Sequence, residues 1–175
     1  MNLGIQGRTA LVVGASRGIG EAIANEFREE GCKVYTVARS GKVDFLMDLM
    51  PVGATDLLVA AMSMNQPDII VHVVGGSMGL TSAFLPATDW AKVWRLNLGI
   101  AIDINRAYLR PMAVKKWGRI IHLSSNAPRL SSGYGPYTSA KAALDGYVKQ
   151  VSREVSRDGV IMTAVAPGIV PTPGR

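Results

Sequence analysis

The sequence has little cysteine and no long apolar run, and each of these absences excludes a class of protein. Cys32 is the single cysteine among 175 residues, which excludes an internal disulfide and a cysteine-rich metal site. No apolar run approaches the roughly 18 residues that a membrane-spanning helix needs. The first residues lack the charged region and the apolar stretch of a signal peptide. We therefore expect a cytoplasmic protein that has no membrane segment.

Charge is also sparse and scattered. Charged residues make up 18% of the chain and hydrophobic residues 48%, which is typical of a globular domain and not of a disordered one. The net charge is +6, but the densest basic group is only Lys115, Lys116 and Arg119. This scatter favours a solvated surface and an anion-binding pocket over a nucleic-acid-binding track. We expect one domain over residues 1–175, with a small molecule as its ligand.

The most informative stretch is a glycine-rich turn that runs from Gly14 to Gly20. The apolar residues 9–13 before it predict a buried strand, and the apolar spacing after it predicts a helix. Such a turn lets the backbone approach a phosphate, which the free N–H groups of the helix N-terminus can bind. Its spacing, G-x-x-x-G-x-G, is neither the standard dinucleotide fingerprint G-x-G-x-x-G nor a Walker loop.

Strand and helix patterns alternate along the whole chain. Further strands are predicted over 33–38, 43–47, 68–74, 118–124 and 160–165, and helices over 51–62, 90–116 and 136–157. Pro111 should kink or shorten the helix that contains it. This alternation favours an α/β fold with a doubly wound parallel sheet. Ligands of such sheets bind beyond the carboxyl ends of the strands, where Gly14, Arg39, Asp48, Gly75, Ser125 and Pro167-Gly168 fall.

Tyr137 and Lys141 lie one helical turn apart, so that a phenol and an ammonium share a helix face. A fixed cation next to a phenol favours the phenolate, which suits general acid–base catalysis. With these residues the chain resembles the classical short-chain dehydrogenase/reductase family from about Gly7 to Thr172. The glycine-rich turn, Asn97, a serine after the fifth strand, the Tyr–Lys pair and the segment from Pro167 occur in the family's order.

The resemblance implies a Rossmann-type fold and an NADP(H)-dependent oxidoreductase. It would transfer a hydride between the nicotinamide and a carbonyl or secondary alcohol, with a tyrosine as the general acid or base. The alternative is a dinucleotide-binding protein without turnover, such as a sensor or an assembly subunit. The family also pairs its subunits through the two long helices, here 90–116 and 136–157. We therefore expect a homodimer or homotetramer, supported by an apolar surface on the second helix.

The resemblance further implies a role for each matching residue. Tyr137 would protonate the carbonyl oxygen, Lys141 would bind the nicotinamide ribose and favour the phenolate, and Asn97 would anchor a water in the proton relay. Thr172 would contact the carboxamide of the nicotinamide. Two serines could hold the carbonyl oxygen of the substrate. The family's commonest spacing to Tyr137 selects Ser124, whereas counting from the fifth strand selects Ser125. We prefer Ser125, because a loop loses a residue more easily than a buried strand shifts its register. The cofactor contacts expected besides these are Gly14, Ser16, Arg17, Gly18, Ile19, Gly20, Arg39, Asp48, Leu49, Gly75, Pro167 and Gly168.

Two arginines predict NADP(H) as the cofactor and not NAD(H). The second predicted strand ends at Ala38, where NAD-dependent dehydrogenases usually place an acid for the ribose 2′-hydroxyl. Arg39 follows directly, and Arg17 lies inside the glycine-rich turn. Two guanidiniums suit a 2′-phosphate. By the resemblance, Asp48 and Leu49 occupy the positions where the family holds the adenine.

The sequence departs from the family pattern after the fourth strand and at its C-terminus. His72-Val73-Val74-Gly75 replaces Asn-Asn-Ala-Gly, and we expect His72, like His122 in the fifth strand, to have a structural role. Family members usually continue beyond the position of Arg175 with a substrate lid and a further strand. We therefore expect weakened catalysis and an exposed apolar edge at strand 160–165. The substrate cannot be read from the sequence, and the candidate pocket-lining residues are Met78, Leu80, Phe84 and Tyr134.

Overall fold

The computed structural model describes residues 3–130 and 134–171. In this part of the chain, six strands form one sheet in which every neighbouring pair is parallel. The strands are β1 (Thr9–Val13), β2 (Lys33–Ala38), β3 (Phe45–Leu46), β4 (Ile69–His72), β5 (Gly118–Leu123) and β6 (Val160–Val165). Their order, β3-β2-β1-β4-β5-β6, is the doubly wound arrangement that the sequence predicts. The winding reverses between β1 and β4, where ligands of such sheets bind.

Helices connect the strands on both faces of the sheet. They are α1 (Gly18–Glu29), α2 (Ala54–Ala61), α3 (Ala87–Trp94), α4 (Ile100–Val114), α5 (Ala127–Leu130) and α6 (Gly135–Val155). A π-helical segment, Arg95–Gly99, joins α3 to α4, and a 3₁₀ turn, Ser156–Asp158, follows α6. The short α5 is not predicted by the sequence, because a single turn has too little periodicity to be detected. Within the described residues, none of these helices is long and apolar enough to cross a membrane.

The sheet separates two apolar clusters. The larger one lies under α4 and α6 and includes Leu11, Ile104 and Leu144, while the smaller one lies under α1 and includes Val12 and Ala24. Leu11 and Val12 are both fully buried on opposite faces of β1, which confirms that this strand is central. The core thus fixes the strand ends from which the site is built.

The helix expected over 90–116 differs from the prediction. It begins earlier, at Ala87, with Pro86 at the N-cap, and the π-helical segment divides it. The reason lies at Asn97, whose Nδ2 donates to the Val93 carbonyl at 2.9 Å. In an α-helix that carbonyl would accept from the Asn97 N–H, so the side chain competes with the regular helical bond. Pro111 lies in the last turn of α4, which ends at Val114.

Three predicted strands are shorter in the structure, two of them for identifiable reasons. In β3, the Asp44 carboxylate accepts from the Thr36 N–H at 2.8 Å, so a side chain replaces the ladder before Phe45. Beyond β4, the N–H groups of Val73 and Val74 both donate to the Val13 carbonyl, at 2.8 and 3.0 Å, which ends the regular pairing at His72. The fifth strand ends one residue early, at Leu123.

The surfaces of α6 and β6 concern two further expectations, the oligomer and the exposed apolar edge. The apolar face of α6 belongs mainly to the core: Ala140, Leu144 and Val148 are buried, and Tyr147 and Val151 pack against them. Packing against the sheet therefore accounts for these residues, and the oligomer stays a prediction. In contrast, β6 lies at the edge of the sheet that the described residues form, with Ile161 54% and Val165 51% exposed.

Candidate active site

The glycine-rich turn joins β1 to α1 with almost no space between backbone segments. Gly14 has a φ of +92°, and a Cβ there would lie 2.7 Å from the Val74 nitrogen. A Cβ at Gly20 would overlap the Gly14 carbonyl oxygen. Only glycine fits these two positions, because a side chain would push the turn away from the strand ends. The turn therefore presents bare backbone and the N-terminus of α1 on the same side of the sheet.

A cavity of about 700 Å³ opens at the carboxyl ends of the strands. It extends from the glycine-rich turn to the helix that carries Tyr137. Most of the residues expected from the sequence line this one cavity: Gly14, Ser16, Arg17, Gly18, Ile19, Gly20, Arg39, Asp48, Leu49, Gly75, Ser125, Tyr137, Lys141, Pro167 and Gly168. Residues as far apart in the sequence as Gly14 and Gly168 are thus brought together. Thr172 lies outside the described residues.

Arg17 and Arg39 are exposed at the rim of the cavity. Arg17 precedes the first residue of α1, and Arg39 follows the last residue of β2, Ala38. In the described part of the chain, neither guanidinium forms an ion pair with a carboxylate. Both cations are therefore available to an anionic ligand group. Nearby, Leu49 is buried at the cavity wall, while Asp48 is exposed and accepts from the Met50 N–H at 3.0 Å.

Lys141 is a buried cation at the other end of the cavity. Its side chain lies on α6 and the residue is only 3% exposed. The Nζ atom donates to the Leu123 carbonyl at 2.7 Å and lies 5.8 Å from the centroid of the Tyr137 ring. Burial lowers the pKa of Lys141 to about 8, and the Asp145 carboxylate opposes that shift. Lys141 is therefore close to the midpoint of its titration at mildly alkaline pH.

Two adjacent serines face the same cavity and differ in their bonding. Ser124 is 3% exposed, and its Oγ has no hydrogen-bond partner among the described residues. The Oγ of Ser125 accepts from the Ala127 N–H at 3.1 Å, at the start of α5. This bond orients the Ser125 side chain and leaves its own hydroxyl proton free to donate. Ser125 is therefore fixed in direction, and the choice between Ser124 and Ser125 stays a prediction.

Asn97 does not line the cavity, but its side chain holds the backbone of Gly76, which does. Its Oδ1 accepts from the Gly76 N–H at 3.0 Å, and its Nδ2 donates to the Gly76 carbonyl at 2.8 Å. The side chain is 3% exposed. A Cβ at Gly75 would lie 2.7 Å from the Asn97 Oδ1 and 3.2 Å from the Lys141 Nζ. The segment after β4 is thus held close to both Asn97 and Lys141.

A family model described as short chain dehydrogenase matches residues 8–175. The chain belongs to the short-chain dehydrogenase family.

The relatives of this short-chain dehydrogenase include reductases. The 3-oxoacyl-(acyl-carrier-protein) reductase of Pseudomonas aeruginosa is 31% identical over 189 residues, covering 97% of this chain and 76% of the relative. A solved 3-oxoacyl (acyl-carrier-protein) reductase from Agrobacterium tumefaciens with NADP bound is 31% identical, with a TM-score of 0.86 over 97% of this chain and 72% of that one. L-Sorbose reductase from Gluconobacter frateurii, solved with NADPH and L-sorbose, is 27% identical, with a TM-score of 0.90 over 99% of this chain and 73% of that one. The family and these relatives support an oxidoreductase.

Beneath the site of this short-chain dehydrogenase lies a buried polar cluster. The His72 Nε2 donates to the Asn105 Oδ1 at 2.8 Å, and the Asn105 Nδ2 donates to the His122 Nε2 and to the Tyr147 hydroxyl, both at 3.1 Å. The two imidazole rings stack with their centroids 4.6 Å apart. The Nδ1 atoms of both histidines have no partner among the described residues. Within the described residues, Asn105 thus provides a hydrogen-bond partner for one nitrogen of each imidazole, and the other nitrogen of each ring has none.

Sequence reasoning missed Asn105 and misplaced the residues of the substrate side. Asn105 shares a buried helix face with Ala101, Tyr108 and Met112, so a polar residue on an otherwise apolar face was the available signal. Of the four candidate substrate-pocket residues, only Tyr134 lines the cavity; Met78, Leu80 and Phe84 do not. Phe84 is 98% exposed.

Proposed function

We propose that this protein is an NADP(H)-dependent oxidoreductase that transfers a hydride between the nicotinamide and a carbonyl or secondary alcohol substrate. One observation carries the proposal: the chain buries the Lys141 ammonium beside the Tyr137 phenol, in the same cavity as the glycine-rich turn. Burying a lysine is unfavourable, and among the described residues its Nζ has one hydrogen-bond partner, the Leu123 carbonyl. Such a cation suits a site where a phenol must gain and lose a proton.

The cavity suits NADP(H) along its length. Gly14 and Gly20 leave bare backbone at the N-terminus of α1, which would hold the pyrophosphate. The guanidiniums of Arg17 and Arg39, which form no ion pair within residues 3–130 and 134–171, would hold the 2′-phosphate. Asp48 and Leu49 would contact the adenine, Lys141 the nicotinamide ribose, and the remaining contacts would come from Ser16, Gly18, Ile19, Gly75, Pro167, Gly168 and Thr172. When bound, NADP(H) supplies or accepts the hydride.

The protein's own side chains transfer the proton and stabilise the charges that develop during the reaction. In the reducing direction, Tyr137 donates its hydroxyl proton to the substrate carbonyl oxygen as that oxygen becomes an alcohol. Ser125 donates a hydrogen bond to the same oxygen and so stabilises its developing negative charge. The Lys141 ammonium stabilises the phenolate that remains. Asn97 holds the backbone after β4 and anchors a water that returns a proton to the site. In the oxidising direction each of these steps runs in reverse.

The relatives guide the choice of substrates for a test but do not select one. Their names refer to a 3-oxoacyl group on a carrier protein and to a keto sugar, two substrates that share a ketone. We therefore propose a ketone or the corresponding secondary alcohol as the reacting group. A panel should include a 3-oxoacyl thioester, L-sorbose and simple ketones, with turnover followed by the absorbance of the reduced nicotinamide.

The test of the mechanism is Tyr137→Phe, with Tyr35→Phe as the matched control. Tyr35 lies on β2, stacks on Phe45 and does not line the cavity. We expect Tyr137→Phe to lower kcat by about a hundredfold or more and to leave the Kd of NADPH within about twofold. The control should keep its activity. Substantial residual turnover in Tyr137→Phe would refute the assignment, and a wild type that binds NADPH but turns over no substrate would favour the dinucleotide-binding alternative.

A further inference from the structure

The loop that follows β3 carries part of the cavity wall but has little bonding of its own. Residues 47–53 lie between β3 and α2 without regular secondary structure, and Asp48, Leu49 and Met50 line the cavity. The Met47 N–H donates to the Ala38 carbonyl at 2.8 Å, and the Met50 N–H donates to the Asp48 carboxylate at 3.0 Å. The position of this segment therefore depends on what holds its carbonyl groups.

The guanidinium of Arg95 binds two of these carbonyls in succession. Its Nη2 donates to the Leu49 carbonyl at 3.0 Å, and its Nε donates to the Met50 carbonyl at 3.2 Å. Its third nitrogen, Nη1, donates to the Asp103 carboxylate at 2.5 Å. A planar guanidinium can bind all three oxygens at once, whereas a lysine ammonium at this position could not reproduce the fork.

The arginine is seated against a glycine one turn further along the chain. A Cβ at Gly99 would lie 3.1 Å from the Arg95 Cδ and 3.3 Å from its Nη1. The side chain of Arg95 therefore lies on bare backbone, within the π-helical segment that both residues belong to. Because Asp103 neutralises the guanidinium and Arg95 does not line the cavity, this arginine does not serve as a phosphate ligand. Any effect on the site must pass through the loop.

The π-helical segment thus contacts both ends of the cavity. Arg95 holds the carbonyls of Leu49 and Met50, and two residues later Asn97 holds the backbone of Gly76. We propose that Arg95 is a positioning residue that fixes the Leu49–Met50 segment in its binding conformation for the adenine end of the cofactor. This inference rests on the proposed function, since it assumes that the cavity binds NADP(H) with its adenine at Asp48 and Leu49.

The experiment measures binding of a ligand that has only the adenine end. Adenosine 2′,5′-bisphosphate carries the adenine and the 2′-phosphate without the nicotinamide, and its Kd can be measured by calorimetry on the full chain. Arg95→Ala is compared with Arg106→Ala, which removes the same charge from an exposed position of α4. We expect Arg95→Ala to raise the Kd by about tenfold and Arg106→Ala to change it by less than about twofold.

Activity provides a readout that a purely structural role would not give. In Arg95→Ala, the KM of NADPH should rise by about as much as the Kd of the bisphosphate, while kcat at saturating NADPH stays within about threefold of the wild type. Arg95→Lys keeps the charge but loses the forked hydrogen bonds, so it should still bind the bisphosphate more weakly than the wild type. Asp103→Asn, which keeps the fork, should bind within about threefold of the wild type. A loss in Asp103→Asn as large as that in Arg95→Ala would show that the ion pair matters and would overturn the proposal.

The result can also contradict the proposal in two separable ways. If the wild type binds the bisphosphate and Arg95→Ala binds it as well as Arg106→Ala does, the role of Arg95 is wrong and the proposed function is unaffected. If the wild type binds neither the bisphosphate nor NADPH, the proposed function itself fails, and the role of Arg95 with it. Should Arg95→Ala not fold, the comparison of Arg95→Lys with Arg106→Lys decides the question on the same criteria.

Discussion

Acidification should destabilise this protein strongly through its two buried histidines. Burial lowers the pKa of His72 to about 4 and that of His122 to about 2, from an ordinary value of 6.5. The neighbouring Lys141 ammonium acts in the same direction on both, and the hydrogen bond that His72 donates to Asn105 opposes the shift at His72. Both imidazoles therefore stay neutral in the folded chain over a range where the unfolded chain protonates them.

The sign and size of the effect follow from proton linkage. Below the ordinary histidine pKa, the unfolded state binds protons that the folded state does not, so the free energy of unfolding falls as the pH falls. Each histidine lowers the free energy of unfolding by about 1.4 kcal/mol for each unit by which the pH falls, once that histidine is fully protonated in the unfolded chain. Between about pH 7 and about pH 4.5 the pair should cost about 5 kcal/mol. This is comparable to the whole stability of a small domain, about 5–15 kcal/mol.

The assay is chemical unfolding followed by circular dichroism at several pH values, in the wild type and in His72→Asn/His122→Asn. The variant keeps amide groups near Asn105 but has nothing to titrate at these positions. It should be less stable at neutral pH, yet between about pH 6 and pH 5 its free energy of unfolding should fall by about 2 kcal/mol less than that of the wild type. Carboxylates titrate in both proteins and so cancel in the comparison. Equal pH slopes in the two proteins would refute the reasoning.

Four further predictions concern the cofactor, the catalytic cation and assembly. Gly20→Ala places a Cβ on the carbonyl of Gly14 and should weaken NADPH binding by at least about tenfold in a fluorescence titration. The control Gly146→Ala, whose Cβ would meet nothing within 4 Å, should bind NADPH as the wild type does. Equal affinities of the two variants would contradict this prediction. Removing Arg17 or Arg39 should each lower the preference for NADPH over NADH, measured as kcat/KM, by about tenfold; a wild type with equal kcat/KM for both cofactors would disprove the prediction. Because burial lowers the pKa of Lys141 to about 8, its ammonium is lost above that pH and kcat for reduction should fall there, so a flat profile at higher pH would count against its role. Light scattering at micromolar concentration should give the mass of a dimer or tetramer, and a monomer mass would refute the oligomer.

Local patterns were sufficient where the determining interactions are themselves local. Strands β1, β2 and β6 have the predicted bounds, because continuous apolar residues and flanking turns specify a buried strand within a few positions. The glycine-rich turn was readable for the same reason, since the close approach of Gly20 to Gly14 is between residues of the same turn. The parallel order of the sheet also followed, because alternating strands and helices permit few other arrangements.

Local patterns failed where a long-range contact decides the conformation. Neighbouring residues give no sign that the Asn97 side chain, which competes for the Val93 carbonyl in the π-helical segment, will also be held by Gly76. Met78 and Phe84 were candidate pocket-lining residues on grounds of hydrophobicity alone. Apolar residues also occur on surfaces, so the packing of the whole chain decides which of them line a cavity.

By itself, the sequence determined the doubly wound sheet, the glycine-rich turn and the placement of Tyr137 and Lys141 on one helix face, because these depend on spacing along the chain. Only the tertiary structure decided that Lys141 is buried against the Leu123 carbonyl and that Arg95 holds a loop 45 residues away in the chain. It also decided that Asn105 joins two stacked histidines beneath the site. The partners in each of these contacts come from different elements, and they meet only once the sheet and its helices have packed together.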